Sequence, residues 1–100
     1  MKIYIAGPIT KDPNYYQKFE KMENELRNEG YEPVNPAKNK ANSYKEYIDK
    51  GLKMLMRCDA IMMLEGYSFS NGAMLEFEYA QTVGMKIFLP TKKSEMGRKI

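Results

Sequence analysis

The alternation of short apolar segments with amphipathic ones is the feature that most constrains the fold of this 100-residue chain. Residues 2–6 are mainly β-branched and aromatic, which predicts a strand that stops at Gly7. Asp12 and Pro13 then predict a helix start, because aspartate caps helices and proline suits the first helical position. Gly30 is placed to end that helix. The apolar face of the helix follows helical spacing through Tyr16, Phe19, Met22 and Leu26.

The middle of the chain repeats this strand and helix pattern. Residues 31–34 predict a second strand, and Ser43 with Glu46 matches the capping box of a helix start. Gly51 lies inside this helix, where glycine costs about 1 kcal/mol relative to alanine. Close packing at Gly51 is one explanation for accepting that cost. The predicted apolar face of the helix consists of Tyr44, Ile48, Leu52 and Leu55.

The last part of the chain adds two more strands and one more helix. The run 60–64 is continuously apolar, as expected for a strand that is covered on both faces. A helix is predicted to begin near Ser70 or Asn71 and to end at Gly84, and residues 86–89 predict the last strand. The predicted inner face of this helix consists of Met74, Leu75, Ala80 and Val83.

This order of elements predicts a single α/β domain over residues 1–100. Strands that alternate with helices favour a parallel sheet of about four or five strands, with right-handed connections and helices on both faces. Composition narrows the chemistry, because the chain has no histidine and one cysteine. We therefore expect no Ser-His-Asp relay, no structural zinc site, no bound metal and no cofactor.

Charge and hydropathy argue against two further classes of partner. The net charge is +3, from 16 basic and 13 acidic side chains, and so mild a balance argues against nucleic acid as a partner. No apolar run approaches the ~18 residues of a membrane-spanning helix, so we expect no membrane association. The lone cysteine fits a reducing compartment, and the chain is predicted to be cytoplasmic.

Two loops at the expected ligand edge carry candidate groups, because open parallel sheets bind ligands beyond the carboxyl ends of their strands. The loop after the first strand offers Gly7, where a ligand can approach the backbone, and the Thr10 hydroxyl; a plain turn is the alternative. Ser70, at the start of the third helix, favours an anion site of free backbone N–H groups. Glu76 lies about one turn further on, where the helix dipole favours an ionised carboxylate suited to attack on a sugar carbon. A simple cap and a surface acid are the alternatives for Ser70 and Glu76.

Three motifs, in this order and at this spacing, resemble the nucleoside 2-deoxyribosyltransferase superfamily, which includes the 2'-deoxynucleoside 5'-monophosphate N-glycosidases. They are the strand and turn 3–8, the segment 58–61 and the pattern Gly72-x-x-x-Glu76-x-x-x-Ala80. The resemblance covers residues 2–89 and is strongest to a small branch found in bacteria and their phages. It implies a flavodoxin-like three-layer α/β sandwich.

The resemblance also implies a reaction and a substrate. In that superfamily a glutamate attacks the sugar carbon of the N-glycosidic bond, and Glu76 matches this nucleophile. Ser70 stands where the nucleotide hydrolases hold a 5'-phosphate with a serine, whereas the nucleoside transferases carry an aspartate. The implied ligand is therefore a nucleotide or a nucleoside. The other substrate-binding residues that the match implies are Tyr4, Gly7, Pro8, Thr10, Asn71 and Gly72.

One acid of the superfamily is missing from this chain. The superfamily has an aspartate eight residues before the position of Asp59, and Gly51 stands there instead. Asp49 is nearby, but a separation of two helical residues rotates its side chain by about 200°. Because the superfamily builds its site across a dimer, the resemblance implies a homodimer or higher homo-oligomer. Ser94, or Lys92 with Lys93, is a candidate phosphate contact from a neighbouring subunit, and the tail after about residue 90 is a candidate dimer contact.

Three functions are consistent with these features. The leading hypothesis is N-glycosidic cleavage or deoxyribosyl transfer on a nucleoside 5'-monophosphate or a nucleoside, with Glu76 as the nucleophile. The alternative is a catalytically impaired nucleotide-binding or sequestering module of the same fold, favoured by Gly51 in place of the acid. The third is a structural or interaction domain without a small ligand.

Overall fold

Four strands alternate with three α-helices in the computed structural model, which describes residues 1–90. In chain order the elements are β1 (Lys2–Ala6), α1 (Tyr15–Asn28), β2 (Glu32–Val34), α2 (Tyr44–Leu55), β3 (Ala60–Met63), α3 (Asn71–Val83) and β4 (Lys86–Phe88). The predicted α/β class is confirmed, although β2, β3 and β4 are each one residue shorter than predicted. None of the helices in residues 1–90 is long and apolar enough to cross a membrane.

All neighbouring strands are parallel, and their order in the sheet is β2-β1-β3-β4. Tyr4 of β1 pairs with Val34 of β2 on one side and with Ile61 of β3 on the other. The chain therefore forms β2 on one side of β1 and later crosses back to form β3 on the other side of β1. Such a reversal opens a crevice at the carboxyl ends of the two central strands, which is where ligands of this architecture bind.

Helices cover both faces of the sheet, as predicted, and the alternating side chains of β1 show the division. Ile3 and Ile5 are buried with Phe19 on the face that α1 covers. Tyr4 and Ala6 are buried on the opposite face, which α2 and α3 cover. Side chains of successive strand residues point to opposite faces, so one strand contributes to both halves of the core.

The predicted helix ends are largely correct, with one difference at α1. Ser43 caps α2 as predicted, since its Oγ accepts a hydrogen bond of 3.1 Å from the backbone N–H of Glu46. Helix α1 begins at Tyr15 rather than at Asp12 and Pro13. The Asp12 carboxylate instead accepts from the backbone N–H of Asn14 at 2.9 Å, which forms a turn before the helix.

The predicted inner face of α3 is partly wrong. Ala80 is buried, but Leu75 and Val83 are 44% and 53% exposed. The side of α3 that faces the sheet instead carries Gly72, Ala73, Glu76 and Ala80. Apolar residues occur around most of this helix, so residue type did not mark the buried side. Small residues on that side let the helix approach the sheet closely.

Candidate functional site

A cavity of about 120 Å³ lies at the carboxyl ends of the central strands, close to the reversal between β1 and β3. Its walls come from β1, the segments after β1 and β2, the start of α2 and the start of α3. The lining residues that matter for the chemistry are Gly7, Thr10, Pro36, Tyr44, Tyr47, Ile48, Ser70, Gly72, Ala73 and Glu76. The fold therefore places most of the predicted residues around one opening.

Glu76 is the buried carboxyl group of this cavity. It lies in the second turn of α3 and is only 6% exposed, so the alternative of a surface acid is wrong. Tyr4, in the middle of β1, donates a hydrogen bond of 2.6 Å from its Oη to Oε2 of Glu76. These two residues are 72 positions apart in the sequence, so only the folded sheet and helix bring them together.

Burial raises the pKa of Glu76 to about 7, even though the hydrogen bond from Tyr4 lowers it. Burial thus opposes the predicted effect of the helix dipole, which favours the ionised form of Glu76. The dipole acts mainly on the first turn of a helix, whereas loss of water acts on the whole buried carboxylate. Near neutral pH the carboxyl group exists in both protonation states. Burial also raises the pKa of Tyr4, with a further contribution from Glu76, and this keeps the phenol protonated as a donor.

Gly51 brings the backbone of α2 against this hydrogen-bonded pair. A Cβ atom at position 51 would lie 2.7 Å from Oη of Tyr4 and 2.8 Å from Oε2 of Glu76. Neither atom can move freely, because the tyrosine ring is buried in the core and the carboxylate is bound to it. Close packing is therefore the reason for a glycine inside this helix. Position 51, where the resemblance leads us to expect an aspartate, lies beside Glu76 in this structure.

Ser70 and Gly72 form the start of α3 at the cavity. Oγ of Ser70 accepts a hydrogen bond of 3.2 Å from the backbone N–H of Ala73, so Ser70 does cap the helix. Its hydroxyl proton is still available to donate to a ligand. A Cβ atom at Gly72 would lie 2.9 Å from Cδ1 of Ile48, which shows that glycine here allows α2 and α3 to pack closely.

The remaining predicted site residues lie in different places, and only some of them line the cavity. Gly7 and Thr10 line the cavity, whereas Asn71 is exposed and Pro8 lines a separate groove of about 510 Å³. Asp49 lies on the outer side of α2, where its carboxylate forms an exposed ion pair of 2.8 Å with Lys45. Ser94 lies outside the described residues. Asp49 therefore does not replace the missing acid beside Glu76.

Sequence reasoning missed the side chains of α2 that line the cavity. The apolar spacing of this helix predicts a core face for Tyr44 and Ile48, and it does not point to Tyr47 as a site residue. Helical spacing could have identified Tyr47, since positions 44, 47, 48 and 51 lie on one side of a helix. Within residues 1–90, no three carboxylate or thiol side chains are grouped as metal ligands.

Comparison with known structures shows the class of fold. The chain is similar to the 2-desoxiribosyltransferase from Leishmania mexicana, with a TM-score of 0.70 and 25% sequence identity. The match covers 88% of this chain and 62% of that one, so this chain spans less than two thirds of its neighbour. The chain belongs to the family described as domain of unknown function DUF4406, whose model matches residues 1–89. The comparison with curated proteins found no match.

The fold similarity supports the superfamily that the sequence motifs indicated. The deoxyribosyltransferase-like α/β fold and the flavodoxin-type strand order agree with the prediction. The assignment to a branch from bacteria and phages, and the likeness to N-glycosidases in particular, stay predictions.

Proposed function

We propose that this protein cleaves the N-glycosidic bond of a nucleoside 5'-monophosphate or a nucleoside, and passes the sugar to water or to a second base. The observation that carries the proposal is the buried Glu76 carboxyl group, which lines the cavity at the carboxyl edge of the sheet. The fold of the neighbouring 2-desoxiribosyltransferase supports the same class of reaction. A group with a raised pKa in a cleft is also typical of catalytic sites.

The proposed mechanism is a double displacement at the sugar. The ionised Glu76 carboxylate attacks C1', and the base leaves with the electron pair of the broken C–N bond. A water molecule or a second base then attacks C1', gives up a proton that the departed base takes, and releases the carboxylate, so the configuration at C1' is retained. Tyr4 binds Oε2 of Glu76 and fixes the orientation of the carboxylate, which leaves Oε1 for the attack.

The start of α3 supports a ligand with a phosphate. Ser70, Gly72 and Ala73 line the cavity at a helix N-terminus, where backbone N–H groups and the helix dipole favour an anion. A serine can donate to a phosphate, whereas an aspartate at the same place would repel it. We therefore place the 5'-phosphate of the substrate near Ser70.

The size of the cavity supports a dimeric site. At about 120 Å³ it is smaller than the roughly 300–1,000 Å³ of typical small-molecule pockets. Phe69, directly before Ser70, is 92% exposed, and Tyr44 at the cavity is also exposed. We propose that a second copy of the chain covers these aromatic side chains and completes the site. Light scattering tests this proposal, and a monomer at working concentration would contradict it.

The direct test is release of free base from a panel of 2'-deoxynucleoside 5'-monophosphates and nucleosides. We expect wild type to release base and Glu76→Gln to lose about 10³-fold or more of that activity. Glu78→Gln is the matched control, because Glu78 is an exposed glutamate of the same helix. Activity should rise with pH through about 7, because only the ionised Glu76 attacks.

The outcomes separate the competing functions. Equal activity of wild type and Glu76→Gln would contradict the proposed mechanism. Nucleotide binding by wild type without any turnover would instead favour the sequestering module. Absence of binding to any nucleotide would favour a domain that has no small ligand.

A further inference from the structure

The hydroxyl group of Tyr47 is buried and has no hydrogen-bond partner among residues 1–90. Tyr47 lies in the first turn of α2. Buried side-chain hydroxyl groups in folded proteins are nearly always paired, because burial without a partner costs free energy. The unpaired hydroxyl of Tyr47 is thus an exception that needs a physical reason.

The position of Tyr47 supplies that reason. Tyr47 lines the same cavity as Glu76, between its helical neighbours Tyr44 and Ile48. Burial raises the pKa of Tyr47, and the nearby Glu76 raises it further, so the phenol stays protonated and can donate. A donor without a partner among residues 1–90, on a side chain that lines this cavity, is available for a ligand atom.

We propose that the Tyr47 hydroxyl donates a hydrogen bond to an oxygen of the bound sugar, which makes Tyr47 a substrate-binding residue. This inference rests on the proposed role of Glu76. In a displacement at C1', the nucleophile and the leaving base lie on opposite sides of that carbon. Tyr47 lines the same cavity as Glu76, so we place its hydroxyl on the side of the nucleophile, toward the sugar.

The same geometry separates this role from that of a general acid. An acid for the leaving base would have to stand on the other side of C1', away from Glu76. A phenol with a raised pKa is also a poor proton donor to a leaving group at neutral pH. Tyr47 is expected to orient the sugar for attack and to keep its own proton.

The test is Tyr47→Phe, which removes the hydroxyl and keeps the ring. We expect kcat/KM for a 2'-deoxynucleoside 5'-monophosphate to fall about 10-fold, as for loss of one hydrogen bond to a ligand. Inhibition by 2-deoxyribose 5-phosphate should weaken by a similar factor, whereas inhibition by the free base should not change. Tyr31→Phe is the matched control, because Tyr31 is exposed next to β2 and does not line the cavity.

Stability distinguishes a binding role from a structural one. Since the hydroxyl has no partner among the described residues 1–90, Tyr47→Phe should unfold at the same urea concentration as wild type or at a higher one. A lower midpoint, or unchanged inhibition by the sugar phosphate, would overturn the proposal. A change confined to inhibition by the free base would overturn the assignment to the sugar.

The outcomes for Tyr47 and for Glu76 can be told apart. If wild type turns over no substrate, the proposed role of Glu76 fails. Calorimetric binding of 2-deoxyribose 5-phosphate then still compares wild type with Tyr47→Phe. Equal affinity in that comparison overturns the role of Tyr47 alone. No binding of the sugar phosphate by wild type overturns both.

Discussion

Glu23 and Glu76 are two buried carboxyl groups in opposite environments. Their exposed fractions are similar, at 8% and 6%, but Glu23 lies near the surface beside the half-exposed side chains of Arg27 and Lys38, whereas Glu76 lies deep in the fold. Glu23 accepts from Asn35 at 3.0 Å and from Arg27 at 2.8 Å, and it forms an ion pair of 3.1 Å with Lys38. Glu76 accepts from the Tyr4 hydroxyl and has no ion pair within residues 1–90.

The hydrogen-bond partners and the depth of burial together decide the protonation state. Hydrogen bonds from Asn35 and Arg27 lower the pKa of Glu23 to about 2, against the effect of burial. For Glu76 burial dominates, and the pKa rises to about 7. Glu23 thus links α1 to the segment after β2 as a permanent anion. Glu76 keeps a proton that it can lose near neutral pH, as a reacting group must.

The largest expected effect is that of Glu76→Gln on stability at high pH. Because the folded pKa of about 7 lies above the ordinary value of 4.5, the folded state holds this proton more tightly. Its stabilising effect is complete below about 4.5 and is lost as the pH rises through 7. Glutamine does not titrate, so at about pH 8 the variant should be more stable than wild type by on the order of 3 kcal/mol.

Urea unfolding of wild type and Glu76→Gln at about pH 4 and about pH 8 measures this effect. Wild type and the variant should be similarly stable at the lower pH. If the difference in unfolding free energy between wild type and Glu76→Gln were the same at both pH values, the raised pKa of Glu76, and with it the contrast to Glu23, would be wrong.

Glu23→Gln should lower the stability of the protein, which is the opposite of the effect expected for Glu76→Gln. At neutral pH we expect a loss of about 2 kcal/mol, because Arg27 and Lys38 lose a charged partner. The lowered pKa means that the stabilisation by Glu23 is present above about 4.5 and disappears as the pH falls through 2. Unfolding at a series of pH values measures this effect. If the stability difference between wild type and Glu23→Gln became larger toward acid pH, the ion pairs of ionised Glu23 would not be what stabilises the fold.

Gly51→Ala should crowd the carboxyl group of Glu76 and leave that of Glu23 unaffected, which sharpens the comparison between the two. Overpacking against Tyr4 and Glu76 should cost about 1–3 kcal/mol, which exceeds the gain of about 1 kcal/mol from helix propensity. The net loss of about 1 kcal/mol should come with a loss of activity. Lys50→Ala is the control, because Lys50 is the exposed neighbour on the same helix. A more stable and fully active Gly51→Ala would contradict the close contact.

Asp49→Asn should have the smallest effect. Its carboxylate forms an exposed ion pair with Lys45, and such pairs contribute about 0.2–1 kcal/mol. We expect a change in stability of at most about 0.5 kcal/mol, from chemical unfolding, and no change in base release. A large loss of activity would show that Asp49 acts in place of the missing acid after all.

Local patterns predicted much of the fold and part of the site. The capping residues Ser43 and Ser70 mark the starts of α2 and α3 because a hydroxyl and nearby backbone N–H groups are enough to define a helix start. The buried face of α3 was harder to predict, since apolar residues surround that helix. Leu75 and Val83 are exposed although their residue types suggest burial.

The sequence by itself determined the order of strands and helices, the starts of α2 and α3, and the choice of Glu76 as the candidate nucleophile. Only the tertiary structure decided that Glu76 is buried, that Tyr4 binds it and that Gly51 packs against the pair. Capping and periodicity depend on neighbours within a few residues. Burial and pKa depend on contacts through space between residues that are far apart along the chain.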